Sequence, residues 1–279
     1  MTIDELLVYA KTYIHKDQAK ILLADLLNKN PLELLVYLDE VVDDSIVELY
    51  KKEVQAIRNN EPLQYVMGYV NFFGQKFIVN RNVLIPRFET EELVEKTLSY
   101  INDFFPTKNN LKILDIGCGS GVIGLTLKNK IPTAEVTLLD ISKEALSVAQ
   151  ENAKRLNLDV NFVQSDIFTN IKDKYDIIIS NPPYIMENEE IEDIVKNNEP
   201  HIALYAGKDG LDCYKKIMKD IKHHLTEKFI IAFEIGQYQA PSIVNMANFF
   251  LEDIEINVAK DLQNRDRMVF ITSKIKKYV

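Results

Sequence analysis

The sequence predicts an α/β fold: an open, mostly parallel, doubly wound sheet, preceded by a small all-α domain and joined to it by a β-hairpin. Three observations predict it. Apolar residues recur at helical spacing through residue 60, and glycine is absent before Gly68. Residues 62–85 then break that period with Pro62, Gly68 and Gly74 and turn to alternating aromatic and β-branched residues. From Leu111 onward, short β-branched runs alternate with helical stretches, the pattern of parallel βαβ units. The expected division is a helical domain at 1–61, a hairpin linker at 62–85 and a second domain at 86–279.

The helical domain reads from stripes such as Leu6, Leu7, Ala10, Tyr13, Ile14 and Ala19, Leu22, Leu23, Leu26, Leu27. Thr2 with Glu5, and Ser45 with Glu48, have capping-box spacing, and Pro31 falls between helices. A bundle of four or five helices is expected. It carries no clustered His, Cys or Gly, so its role is packing or partner binding. After the hairpin, Thr90 of Pro86-Arg87-Phe88-Glu89-Thr90 is placed to cap a helix over 91–102. A strand at 112–116, a glycine loop, a helix at 122–129, a strand at 135–140, a helix at 143–156 and strands at 160–164 and 175–180 follow. A helix at 211–225, a strand at 228–234, a helix at 241–250 and strands at 254–258 and 268–272 complete the sheet, the last two as antiparallel neighbours at one edge.

Composition narrows the function. The 279 residues hold 33 Lys+Arg against 42 Asp+Glu, a formal net charge of -9, which argues against a generic nucleic-acid binder because phosphate neutralisation dominates such affinity. With 47% hydrophobic and 27% charged residues the chain can bury a sizeable core. Cys118 and Cys213 are too few for a disulfide framework or a cysteine-rich zinc site, which fits a reducing compartment. The acidic start Thr2-Ile3-Asp4-Glu5 lacks a signal-peptide pattern, and no apolar run reaches a membrane span, so a cytoplasmic protein without membrane attachment is expected. His15, His201, His223 and His224 are scattered and no metal site is expected. Lys274-Ile275-Lys276-Lys277 reads as a solvated basic end.

The chemistry starts at Gly117-Cys118-Gly119-Ser120-Gly121, between a strand and a helix, where backbone and ligand can approach closely. Its G-x-G-x-G spacing, with Gly124 beyond, matches neither the dinucleotide fingerprint nor the phosphate loop. Cys118 is read as a small loop residue rather than a nucleophile. Asp140 ends the next strand, where a carboxylate can accept hydrogen bonds from both hydroxyls of a ribose. A ribose without phosphates suggests S-adenosylmethionine. Asp115 is placed to meet its amino group and Asp166 its adenine, although a cap or turn role suits either equally.

Asn181-Pro182-Pro183-Tyr184 directly follows the strand at 175–180 and is the most specific signal in the chain. Two prolines fix φ and remove two N–H donors, so nearby carbonyls are free to accept from a ligand. The Asn181 side-chain oxygen and the Pro182 carbonyl can together grip an NH₂ group, with Tyr184 as a flat platform. An amide or aromatic amine is a poor nucleophile, and such a grip holds its nitrogen in line with a methyl donor.

These residues resemble the HemK/PrmC family, the protein-(glutamine-N5) methyltransferases that act on class I peptide chain release factors. The resemblance spans nearly the whole chain. Beyond the two motifs it includes Pro62-Leu63-Gln64-Tyr65, Gly68, Phe73-Gly74, Val83-Leu84-Ile85-Pro86-Arg87 with Glu89-Thr90, and Asp115-Ile116. It continues through Glu199-Pro200, Ala203-Leu204, Gly207, Asp209-Gly210-Leu211, Glu234-Ile235-Gly236, Asp261-Leu262 and Arg267. It implies a Rossmann-like, class I S-adenosylmethionine-dependent methyltransferase sheet and an N-terminal domain that helps to recognise the release factor. The target would be the glutamine of a Gly-Gly-Gln motif. Gly117, Cys118, Gly119, Ser120, Gly121, Asp140, Asp166, Ile167 and Asn181 would hold the cofactor, and Asn181, Pro182, Pro183 and Tyr184 the glutamine amide, with Asn181, Pro182 and Tyr184 catalytic. Two departures stand out: Phe88 where the family often has proline, and Ile167 where some members have tryptophan. A monomer with no stable nucleic-acid partner is expected. The rivals are an amino-methyltransferase acting on a nucleic-acid base, and a non-catalytic binding module on the same fold.

Overall fold

The computed structural model describes residues 1–274, so Ile275, Lys276 and Lys277 of the basic end lie outside the described residues. The chain divides into two compact units, Met1–Val70 with Ile191–Asn198, and Asn71–Glu190 with Glu199–Val279.

In the first unit, α1 (Ile3–Lys11), α2 (Lys16–Leu26), a 3-10 turn (Glu33–Val36) and α3 (Asp44–Arg58) enclose a core that includes Leu6, Leu7, Leu22, Leu23, Tyr50 and Val54. Thr2 and Glu5 form the expected capping box at α1. At α3 the cap is Asp43 rather than Ser45. The Asp43 carboxylate accepts the Ser45 backbone N–H at 2.9 Å and its hydroxyl at 2.6 Å, which makes Ser45 a donor in the first turn. A short helix α4 (Leu63–Met67) opens the stretch read as hairpin, because Pro62 takes the N-cap, Leu63 and Tyr65 bury, and Gly68 ends it at φ +77°. The hairpin itself is β1 (Tyr69–Phe72) and β2 (Gln75–Ile78).

The second unit begins in the hairpin and continues with α5 (Phe88–Phe104), β3 (Lys112–Ile116), α6 (Val122–Lys130), β4 (Glu135–Asp140), α7 (Lys143–Leu156), β5 (Asn161–Gln164) and β6 (Tyr175–Ser180). The short α8 (Asp193–Asn198) groups with the first unit. A 3-10 turn (His201–Ala203), α9 (Asp212–Asp220), a second turn (Ile221–His224), β7 (Leu225–Glu234), α10 (Ala240–Phe250), β8 (Ile254–Lys260) and β9 (Asp266–Ser273) follow. The strand order is β5-β4-β3-β6-β7-β9-β8, with β9 antiparallel to both neighbours and the β5-to-β7 pairings all parallel. Every residue of β6 is buried, as a central strand covered on both faces requires. The strand read as starting at 228 starts at Leu225, which pairs with Tyr175 across an irregularity in the β6 register.

Gly124 lets α6 lie close on the sheet. A Cβ there would stand 2.2 Å from Leu138 Cδ2 and 3.1 Å from Asp115 Oδ2. Gly124→Ala is therefore expected to destabilise this unit by about 1–3 kcal/mol through overpacking, visible as a lower midpoint in thermal or urea unfolding. An unchanged midpoint would contradict that packing.

Candidate active site

Register gathers the site at one edge of the sheet. Ile116 pairs with Leu139 on one side and Ser180 on the other, so the glycine loop, Asp140 and Asn181 all leave the carboxyl ends of adjacent strands. The Ser180 hydroxyl ties the same two ends, donating to the Ile116 carbonyl at 2.6 Å. On the far side Ser180 pairs with Phe233, which sets Glu234 beside Asn181. A cavity of about 340 Å³ opens there, lined by the glycine loop, Asp140, Asp166, Ile167, Asn181 and Pro183 among others.

Gly117 and Gly119 have φ of +70° and +54°, the region that disfavours side chains, and nothing lies within 4 Å of where their Cβ atoms would point. The loop thus leaves open space beside its backbone. Asp140 anchors it: one carboxylate oxygen accepts the Gly119 N–H and the other the Ser142 N–H, each at 2.9 Å. Burial raises the Asp140 pKa, opposed by those same backbone donors. The carboxylate keeps lone pairs for further donors in the cavity. Cys118 is buried and its thiol pKa is pushed well up by desolvation and by Asp115 and Asp140, so it is no thiolate nucleophile.

Asp115 does not line the cavity. It is fully buried under α6, one oxygen accepting the Gly124 N–H at 2.9 Å and the other without a partner among the described residues. Burial pushes its carboxyl up to about 7, with the Asp140 charge adding to the rise. Asp166 is half-exposed on the cavity wall and lies 3.6 Å from Lys216 Nζ. Ile167 beside it has φ +50°, unusual for a β-branched residue; the Ser165 hydroxyl holds the turn, donating to the Ile167 carbonyl and accepting the Asn170 N–H.

Asn181 is oriented by two residues distant in sequence. Its Nδ2 donates to Thr90 Oγ1 at 3.1 Å, and the Thr90 hydroxyl donates to Glu234 Oε2 at 2.7 Å. The amide oxygen is then the Asn181 atom left for a ligand. Thr90 is not the expected helix cap: α5 starts two residues earlier, at Phe88, which carries Thr90 inside the helix and turns its hydroxyl to Asn181. Of the remaining tetrad residues, Pro183 lines the cavity whereas Pro182 is buried and Tyr184 packs against the sheet core. The Tyr184 hydroxyl faces the Glu234 carboxylate, and the Gln239 side chain holds the Tyr184 carbonyl at 3.0 Å.

Sequence reading missed the apolar wall. Ile141 is 46% exposed immediately after the buried Asp140, Ile202 comes from the 3-10 turn His201–Ala203, and Val83 stands in a segment that carried the resemblance but no expected role in the cavity. Glu199, which no local pattern singles out, accepts the Ile85 N–H at 3.0 Å through its carboxylate and pairs with Arg87, fixing the segment that leads to Thr90.

Comparison with known proteins agrees with this architecture. Residues 9–68 match the family described as the PrmC N-terminal domain, and residues 92–199 match the methyltransferase small domain. The release factor glutamine methyltransferase of Bacillus subtilis (strain 168) is 37% identical over 278 residues, covering 96% of each chain. The chain belongs to the release factor glutamine methyltransferase family. A member from Streptococcus pneumoniae is 40% identical over 83% of this chain and 82% of its own. A methyltransferase from Pyrococcus furiosus, 16% identical with a TM-score of 0.53 over 73% of this chain and 91% of its own, shares the fold. The seven-stranded sheet of this family member is thus a class I methyltransferase sheet, as expected from the sequence.

Proposed function

We propose that this protein transfers a methyl group from S-adenosylmethionine to the side-chain amide nitrogen of the glutamine in the Gly-Gly-Gln motif of class I release factors. The observation that carries this reading is the Asn181 amide on the cavity wall, which donates through its NH₂ to Thr90 and leaves its oxygen as an acceptor for a substrate. Family membership supports a protein substrate over a nucleic-acid base.

The cavity fits the cofactor in kind. The open space beside Gly117 and Gly119 admits a ligand, Asp140 supplies a carboxylate for ribose hydroxyls, and Ile141 and Ile167 supply apolar contact for adenine beside Asp166. When bound, S-adenosylmethionine supplies an electrophilic methyl group on a sulfonium. The chain's own part is positioning. Asn181 Oδ1 and the Pro182 carbonyl accept the two N–H groups of the glutamine amide, which directs its nitrogen toward the methyl. Tyr184 supports the grip from behind, through Glu234. Residues 1–61 recognise the release factor, 62–85 link, and 86–279 carry out transfer. The reading places the enzyme in the cytoplasm, where release factors act. Among the described residues no helix is long and apolar enough to cross a membrane.

Replacing the motif glutamine of a class I release factor by alanine tests the target. The protein should methylate the wild-type factor and leave that variant, total RNA and DNA unlabelled. Equal labelling of the variant would remove the glutamine from the reading.

A further inference from the structure

We propose that Thr90 and Glu234 form a positioning relay that sets which way the Asn181 amide faces and thereby switches its oxygen toward the substrate. The proposal rests on the reading of Asn181 given above. The three residues come from α5, the end of β6 and the end of β7, separated by 91 and 144 positions along the chain. Thr90 and Glu234 are 2% and 1% exposed, so water does not compete for their hydrogen bonds.

Proton direction follows from the donor inventory. An ionised carboxylate only accepts, and a hydroxyl has one proton to give. Thr90 therefore gives its proton to Glu234 and turns a lone pair to Asn181, which must answer with its NH₂ group. Asn181 Oδ1 is then directed away from Thr90. Without that instruction the amide is nearly symmetric in shape, and the flipped form meets the substrate N–H groups with N–H groups of its own. A neutral acid or amide at position 234 can donate to Thr90, reverse its hydroxyl and favour the flip.

The groups facing the Glu234 carboxylate are Arg267 from β9, Glu89 from α5 and the Tyr184 hydroxyl, while the Tyr214 hydroxyl from α9 donates to the Glu234 backbone carbonyl at 2.6 Å. Arg267 and the two hydroxyls of Thr90 and Tyr184 favour the ionised form; Glu89 and, above all, burial oppose it, pushing the carboxyl up to about 7. The relay needs the ionised form, so turnover should fall as pH drops through that value.

The test uses the full-length protein with S-adenosylmethionine and a class I release factor, comparing wild type with Glu234→Gln, Thr90→Val and Thr90→Ser. Glu234→Gln and Thr90→Val should lower kcat roughly 10- to 100-fold, with KM for both substrates within about twofold of wild type. Thr90→Ser should recover most of the loss seen in Thr90→Val. The acidic limb of the kcat profile should persist in wild type and Thr90→Ser and vanish in Glu234→Gln. Cofactor affinity close to wild type would show that the variants are folded. Wild-type kcat in Glu234→Gln, or equal impairment in Thr90→Ser and Thr90→Val, would overturn the relay while leaving the methyl-transfer reading intact. A wild-type protein unable to methylate the release factor would overturn that reading and the relay with it.

Discussion

Replacing Asn181 by alanine is expected to lower the rate of methyl transfer roughly 10²-fold or more, the size seen when one preorganised hydrogen-bonding group is removed from a reacting centre. The substrate amide would keep at most the Pro182 carbonyl as an acceptor, and its nitrogen would no longer be held in line. Cofactor affinity should weaken only modestly, because the glycine loop and Asp140 do not depend on Asn181: the loop is fixed by the Asp140 carboxylate and by the Cys118 N–H bond to the Leu139 carbonyl at 2.9 Å. The variant should also leave Thr90 still bonded to Glu234. The checking measurement is single-turnover methylation at saturating cofactor. Near-normal turnover would take Asn181 out of the mechanism.

Asp140→Ala is expected to act on the other half of the site. It removes the carboxylate assigned to the ribose and also leaves the Gly119 and Ser142 N–H groups without their acceptor. Charge-assisted hydrogen bonds of this kind contribute about 1.5–3 kcal/mol, so cofactor affinity should fall roughly 10- to 100-fold by calorimetry. At saturating cofactor the rate should fall much less than in Asn181→Ala, since the amide grip is untouched. Asp140→Asn, which keeps one acceptor, should fall between alanine and wild type. Unchanged affinity in Asp140→Ala would contradict the ribose assignment.

Both variants fall in the part of the site that was legible in the sequence. Gly117 to Gly121, Asp140 and Asn181 each sit at a strand end, and hydrophobic periodicity locates strand ends well because a buried parallel strand is a short apolar run with a sharp boundary. The order of those strands then brings the ends together. Thr90 and Glu234 were harder. Their partnership spans 144 positions and depends on the β6–β7 register and on α5 beginning at Phe88, none of which periodicity reports. Thr90 also matched a local rule, that of a helix cap, and tertiary contact overrode it. The same competition appears at Ser45, where Asp43 two residues earlier was the better acceptor, and at Asp115, whose place at a strand end suggested a ligand contact although its side chain points under α6. Ile141 and Ile202 could not be read because an exposed apolar residue acquires meaning only when a cavity is seen beside it.

The measurement that tests the central assignment most directly is incubation of the full-length protein with labelled S-adenosylmethionine and, in parallel, a purified class I release factor, total RNA and DNA, followed by mass spectrometry of the labelled product. One added methyl group on the side-chain amide of the Gly-Gly-Gln glutamine is the expected result; label on a nucleic-acid base, on another residue of the release factor, or on none of these substrates would contradict it.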